Sequence, residues 1–191
     1  LDNHKTLEQL FACGLLCNEV EVVKKSRKDK KYFGEQTEVA LYQASESILP
    51  PNYGRHFHKI DEIPFSSERK MMSVLVEDRQ GHLSIYAKGA PEVLIEKCDQ
   101  IMLHGQIQPL DESTRQVILN QNTTFASDAL RVLGFAFRTA EHSALGKEDE
   151  QAFIWLGLQA MIDPPAQQVE EAMTECKSAG IRVIMITGDN P

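Results

Sequence analysis

Four short segments carry side chains whose types and spacing suit ligand chemistry. Phe65-Ser66-Ser67-Glu68-Arg69-Lys70 sets an aromatic ring and two cations just ahead of an apolar run, a combination able to stack a base and approach phosphates. Lys88-Gly89-Ala90-Pro91-Glu92 puts a lysine beside a glycine that lets a ligand come close to the backbone. Arg131 stands where a predicted helix hands over to a predicted strand. Thr187-Gly188-Asp189 follows an apolar run, at the strand end where parallel sheets hold ligands and where a carboxylate meets a metal-bound phosphate. Taken singly, each has a plainer reading: a core phenylalanine, an ordinary strand-to-helix turn, an exposed arginine, a loop carboxylate.

Common signatures of other chemistries are missing. There is no GxxxxGK[ST] and no GxGxxG after a strand, so neither a P-loop nor a dinucleotide fold is supported. Neither GxSxG nor HExxH occurs, which removes the usual serine hydrolase and zinc protease readings. Cys13, Cys17, Cys98 and Cys176 lie in apolar or helical contexts at no disulfide-framework spacing, as reduced core thiols of a cytosolic compartment would. Cys13 and Cys17, four apart on a predicted helix, lack the further partners a metal needs. Between Lys24 and Lys31 six of eight residues are basic, which reads as a solvated loop more readily than as a phosphate or lipid contact.

The bulk numbers bound the answer. Apolar residues make up 42% and charged residues 25% of 191, enough to bury a core in one or two domains. The formal charge of −8 disfavours a general nucleic-acid or anionic-membrane binder, so any phosphate site must draw on local positive charge. Apolar stretches such as 153–162 fall short of the roughly 20 residues that cross a bilayer. The chain opens on Leu1-Asp2-Asn3-His4 without a signal pattern and is expected to be a piece of a longer protein.

The elements that must position these segments follow from periodicity. Thr6-Leu7-Glu8-Gln9 resembles a capping box and predicts a helix over 7–18. A second helix is predicted over 37–47, ended by Pro50-Pro51-Asn52-Tyr53-Gly54. Met72, Val74 and Val76 alternate with Met71, Ser73 and Leu75, and Asp78-Arg79-Gln80-Gly81 turns them into Leu83, Ile85 and Ala87, an antiparallel hairpin. Pro91 suits the first position of a short helix reaching Cys98, and His104-Gly105 marks a second hairpin. A helix over 113–127, with Val117, Ile118 and Phe125 inward, precedes strands at 132–137 and 153–161. Val169, Ala172, Met173 and Cys176 share one helix face, ended by Gly180 and followed by a predicted buried parallel strand over 181–186. The fold class expected is α+β: a mainly antiparallel twisted sheet flanked by helices, plus a short α/β segment at the C-terminus.

In order along the chain, these segments resemble the catalytic cytoplasmic region of P-type cation-transporting ATPases, nearest to the type II group that contains calcium pumps. Gly34-Glu35-Gln36-Thr37-Glu38-Val39-Ala40-Leu41 is similar to GDPTExAL, and Pro64 through Val74 to the PF-[DS]-S-x-RK-x-MSV segment. Lys88–Glu92 is identical to KGAPE, and 129–133 matches ALRVL. Asp163-Pro164-Pro165 and 179–190 are similar to DPPR and AGIxVxMxTGDN. The resemblance implies a nucleotide-binding domain over 1–162, and over 163–191 a hinge (Asp163, Pro164, Pro165) with part of a phosphorylation domain.

It also implies roles. Phe65 would stack on adenine, Glu38 would accept a hydrogen bond from the base, Lys70, Lys88 and Gly89 would line the pocket, and Arg131 would reach the phosphates. About three cations in one cleft would then offset the acidic surface. Thr187, Gly188 and Asp189 would be a remnant of the phosphoryl site. ATP or ADP is the expected ligand, with Mg2+ carried alongside in the whole pump. The partners expected are the phosphorylation, actuator and transmembrane parts of the same membrane protein, with this part on the cytoplasmic side.

The sequence departs from the family at three places. Gln36 stands for a proline, Ala166 for the arginine after DPP, and Ser67 for an arginine that touches phosphate in some relatives. No DKTGT and no GDGxND occurs, so the phosphorylated aspartate would lie upstream of Leu1. The chain is accordingly expected to bind nucleotide without turnover, and 181–186 to pair with another molecule or stay poorly ordered. A nonenzymatic interaction module and a haloacid-dehalogenase-type phosphatase piece are the competing readings.

Overall fold

The computed structural model describes residues 3–24, 30–162 and 168–184. In chain order the elements are α1 (His4–Leu16), β1 (Glu21–Lys24), β2 (Lys30–Phe33), α2 (Gln36–Ile48), β3 (Phe57–Ser66), β4 (Met71–Asp78), β5 (Leu83–Gly89) and α3 (Pro91–Leu94). There follow β6 (Cys98–Leu103), β7 (Gln106–Pro109), α4 (Glu112–Ser127), β8 (Arg131–Thr139), β9 (Phe153–Met161) and α5 (Val169–Ser178). Seven strands form one sheet in the order β3-β4-β5-β8-β9-β6-β7, and β1 pairs with β2 apart from it. Among the described residues every strand pairing is antiparallel except β6 with β9. The mainly antiparallel α+β class is therefore as the sequence implies.

Helices cover both faces of the sheet, which is why β4 is buried from Met71 to Val76 rather than on alternate residues. Met72, Val74 and Val76 face one core with Leu10 and Cys13 of α1 and Leu41 of α2. Met71 and Leu75 face a second core with Leu94, Phe153 and Trp155. The register of β5 on β4 pairs Lys88 with Met72, and that of β8 on β5 pairs Lys88 with Phe135. Lys88 thus lies among residues of the first core, on the α1 and α2 side.

Local rules account for most boundaries. Pro91 opens α3, and Asp111 caps α4 by accepting from the Thr114 N–H at 2.7 Å. Hydrogen bonds from that N–H first, then from the Thr114 and Ser113 side chains, hold the Asp111 carboxyl below the usual carboxylate range. A depressed carboxyl contributes stability above its unfolded value, and that contribution is lost as pH falls through the folded one. The melting temperature is therefore expected to drop as pH falls below about 4. Asp111→Asn, which keeps a cap but cannot titrate, should remove part of that drop; an unchanged acid limb would contradict the assignment.

Four expectations are corrected. The α1 helix starts at His4, not Leu7, and Thr6 makes no capping box. Its hydroxyl instead accepts from the Gly105 N–H at 2.9 Å, tying α1 to the turn between β6 and β7. Val117 points outward at 67% exposure, because only Ile118 and Leu119 of that turn of α4 pack on the second core. The basic run, expected to be a loop, has its two described ends in the β1–β2 hairpin. Lys30 pairs with Glu46 of α2 at 3.0 Å, which anchors that hairpin. Finally, 181–184 form no strand, and Ile181, Val183 and Ile184 are 58%, 45% and 70% exposed, so no buried parallel strand exists over these residues.

Lys25, Arg27 and Lys28, the hinge residues Asp163, Pro164 and Pro165, Ala166, and the Thr187-Gly188-Asp189 group lie outside the described residues. No described helix is long and apolar enough to cross a membrane.

Candidate functional site

The first turn of α2, the end of β3, the end of β5 and the start of β8 meet around a cleft of about 590 Å³. Its lining includes Thr37, Glu38, Phe65, Lys88, Gly89 and Arg131. Five of the six nucleotide-site residues expected from sequence, Glu38, Phe65, Lys88, Gly89 and Arg131, are thus brought together from distant parts of the chain. Phe65 is 58% exposed, so its ring is not a core residue and its face is available. Lys88 is its opposite: 4% exposed, at the bottom of the cleft.

Burying an ammonium requires a partner. Lys88 has one in Glu38, with Nζ 2.5 Å from Oε1 and 2.6 Å from Oε2. Glu38 is held in turn, since its Oε2 accepts from the Glu19 N–H at 3.3 Å. Asn18, buried and not singled out from sequence, fixes the geometry: its Nδ2 donates to the carbonyls of Gly14 at 3.1 Å and Glu38 at 3.0 Å. That clamp joins the last turn of α1 to the first turn of α2. An Asn just after a helical run hints at such a terminus, but its partner 20 residues on is a tertiary fact.

At the other side of the cleft Arg131 donates to the Thr37 hydroxyl at 2.9 Å and lies 3.5 Å from the Glu35 carboxylate. Thr37 itself donates to Glu35 at 3.1 Å. These contacts are exposed, so they place Arg131 at the rim without immobilising it strongly.

Lys70 departs from expectation. It takes a left-handed backbone (φ 52°), does not line the cleft, and lies 3.9 Å from Glu92 with more than half of its side chain in water. The cleft lining therefore holds two cations, Lys88 and Arg131, against three carboxylates, Glu19, Glu35 and Glu38. The expected three-cation cluster is not what the fold builds. A polyphosphate entering here meets Arg131 already engaged by Glu35, and a divalent cation bound to the phosphates would offset the carboxylates.

The cysteines stay structural. Cys13 Sγ donates to the Ala87 carbonyl at 3.3 Å and Cys17 Sγ to that of Met72 at 3.6 Å. Burial pushes the Cys17 thiol up to about 12 and the Cys13 thiol well above its ordinary value, so both remain protonated and poor ligands. Among the described residues no group of three or more His, Cys, Asp or Glu side chains could hold a metal ion.

The family described as P-type ATPase, cytoplasmic domain N matches residues 6–168. Calcium-transporting ATPase 1 of Lactococcus lactis is 37% identical over 180 residues, which is 92% of this chain and 20% of that protein. The endoplasmic-reticulum-type calcium-transporting ATPase 3 of Arabidopsis thaliana is 34% identical over 212 residues, 96% of this chain and 21% of that protein. Potassium-transporting ATPase alpha chain 2 of Rattus norvegicus is 38% identical over 173 residues, 83% of this chain and 17% of its own length. The chain spans about a fifth of the length of these curated relatives.

Proposed function

The chain belongs to the family of P-type ATPase cytoplasmic N domains, and from that premise we propose that the cleft between α2, β3, β5 and β8 binds ATP. The observation that carries this reading is a single cleft with an exposed aromatic ring, Phe65, at its wall and a buried ammonium, Lys88, at its floor. An aromatic face stacks on a base, Glu38 accepts from an exocyclic amino group, and Lys88 donates to polar edges that enter the floor. Arg131, at the rim, is placed to exchange its contact with Glu35 for phosphate oxygens. Gly89 keeps the wall beside Lys88 free of a side chain. Lys70 acts from outside the cleft, as a screening charge on an incoming polyanion.

In the whole pump the bound ATP would donate its γ-phosphoryl group to an aspartate outside this chain, with Mg2+ neutralising the phosphate oxygens. Residues 1–162 would form the nucleotide-binding domain. Asp163, Pro164 and Pro165 would act as hinge, and Thr187, Gly188 and Asp189 as part of the phosphoryl site. The chain alone would bind ATP without turnover, since it has no DKTGT aspartate to phosphorylate. Its place is the cytoplasmic side of a membrane cation pump, and calcium is the transported ion proposed, because the calcium-transporting relatives match over nearly the whole chain.

Calorimetric titration tests the cleft. Wild-type chain should release heat with ATP, and Phe65→Ala should lose the stacking contribution of about 1–3 kcal/mol, roughly 5- to 150-fold in affinity. No binding at about 1 mM ATP, where only interactions stronger than about −4 kcal/mol register, would sink the reading in favour of an interaction module.

A further inference from the structure

Glu150 has no part in the cleft and no role in the expectations drawn from sequence, yet it is one of the most deeply buried charged groups, at 2% exposure. It follows the 3₁₀ turn Lys147–Asp149 and leads into β9. Its Oε1 accepts from Arg69 Nη2 at 2.6 Å and from the Ser73 hydroxyl at 2.7 Å, and its backbone carbonyl accepts from Lys97 Nζ at 3.2 Å. The Arg69 guanidinium reaches onward: Nη1 donates at 2.8 Å to the carbonyl of Pro64, the residue immediately before Phe65. The same turn is tightened by the Lys70 N–H donating to the Ser66 carbonyl at 2.7 Å and the Arg69 N–H to the Ser66 hydroxyl at 3.2 Å.

This chain of contacts has a direction. Glu150 belongs to the packed interior, and Phe65 is an exposed ring near the end of edge strand β3, in the register irregularity between Ile63 and Ser66 where β3 loses its regular pairing with β4. A buried carboxylate fixes a guanidinium far better than water does, because the low dielectric strengthens the pair and its loss leaves a charge uncompensated. The second end of that guanidinium then pins the peptide that carries the ring. We propose that Glu150 is a positioning residue for the nucleotide cleft: through Arg69 and the Pro64 carbonyl it sets where the Phe65 ring stands. The inference rests on the ATP reading of that cleft for its consequence, but not for its geometry.

The test uses the whole chain and two ligands, ATP and inorganic tripolyphosphate, titrated by calorimetry, with the Phe65 ring resonances followed by NMR and assigned by Phe65→Leu. Glu150→Gln retains an acceptor for Ser73 but gives up the charge that holds Arg69. It should move the Phe65 ring signals and weaken ATP about tenfold, within the range a stacked base contributes, while tripolyphosphate changes less than about twofold. In a Phe65→Ala background Glu150→Gln should add less than about twofold, since both changes act through one ring. Should Glu150→Gln not fold, Arg69→Lys, which cannot span from Glu150 to the Pro64 carbonyl with two nitrogens, carries the same expectations. Equal weakening of both ligands, or unmoved ring signals with ATP affinity intact, overturns the positioning role and leaves the ATP reading standing. Ring signals that move in a chain whose wild type does not bind ATP uphold the positioning and overturn the ATP reading instead.

Discussion

Lys88→Met is expected to weaken ATP binding about a hundredfold, some 2.8 kcal/mol at 1.4 kcal/mol per tenfold. The ammonium sits at the cleft floor with 4% exposure, and the other cation of the lining, Arg131, is engaged at the rim by Thr37 and Glu35. The same change should also destabilise the fold, because the Glu38 carboxylate would be left with only the Glu19 N–H as a polar contact. Removing one partner of a buried pair costs about 3–5 kcal/mol, and the 15% exposure of the Glu38 side chain places this case near 3. The melting temperature would fall by roughly 6–12 °C for a chain of this size. Lys88→Met combined with Glu38→Gln separates the two effects. Stability should recover with the orphaned charge gone, and ATP affinity should not. Single-variant ATP affinity within about threefold of wild type would remove Lys88 from the site.

Gly89→Ala, one residue on, is expected to be the most damaging methyl group that could be added to the cleft. A Cβ there would lie 2.5 Å from the Lys70 carbonyl oxygen, 2.6 Å from Met71 Cβ and 2.8 Å from Met71 Cα. Two of the three are backbone atoms, and Lys70 O already accepts from the Ala90 N–H at 2.9 Å, so relief requires prising the end of β5 from the start of β4. Overpacking of this kind costs about 1–3 kcal/mol, and a backbone obstacle puts it at the upper end. Because Lys88 and the turn bearing Phe65 both hang on that junction, ATP affinity should fall as well. Thermal melting and calorimetry on the same sample check both, and a melting temperature within about 2 °C of wild type would show that the strands can separate at little cost.

These two positions show why the site was legible in part. Lysine next to glycine, an aromatic followed by cations, and Arg131 at a junction are local patterns, and the family wording gave them an order. What could not be read was their balance of charge. Lys70 is adjacent in sequence to the right segment, yet a left-handed turn carries its side chain out toward Glu92. Glu19 and Glu35 enter the cleft because α1 and α2 pack together through Asn18, a contact with no local signature. Glu150 was invisible for the same reason: its partner Arg69 is 81 residues away.

The fold divides along that line too. Alternation in β4 and β5, the Asp78–Gly81 turn, Pro91 at a helix start and the β6–β7 hairpin were all set by the sequence alone, since each depends on backbone preferences and contacts within about a dozen residues. Only the tertiary structure decided that β9 slots between β8 and β6, parallel to one and antiparallel to the other. It also decided that Thr6 serves the Gly105 N–H rather than its own helix, and that Val117 faces water. Residue type and spacing determined which groups were present and their short-range geometry. Which of them share a cleft, and how many carboxylates stand among them, was decided by the burial of two apolar faces on one sheet, a long-range free-energy minimum that no local pattern encodes.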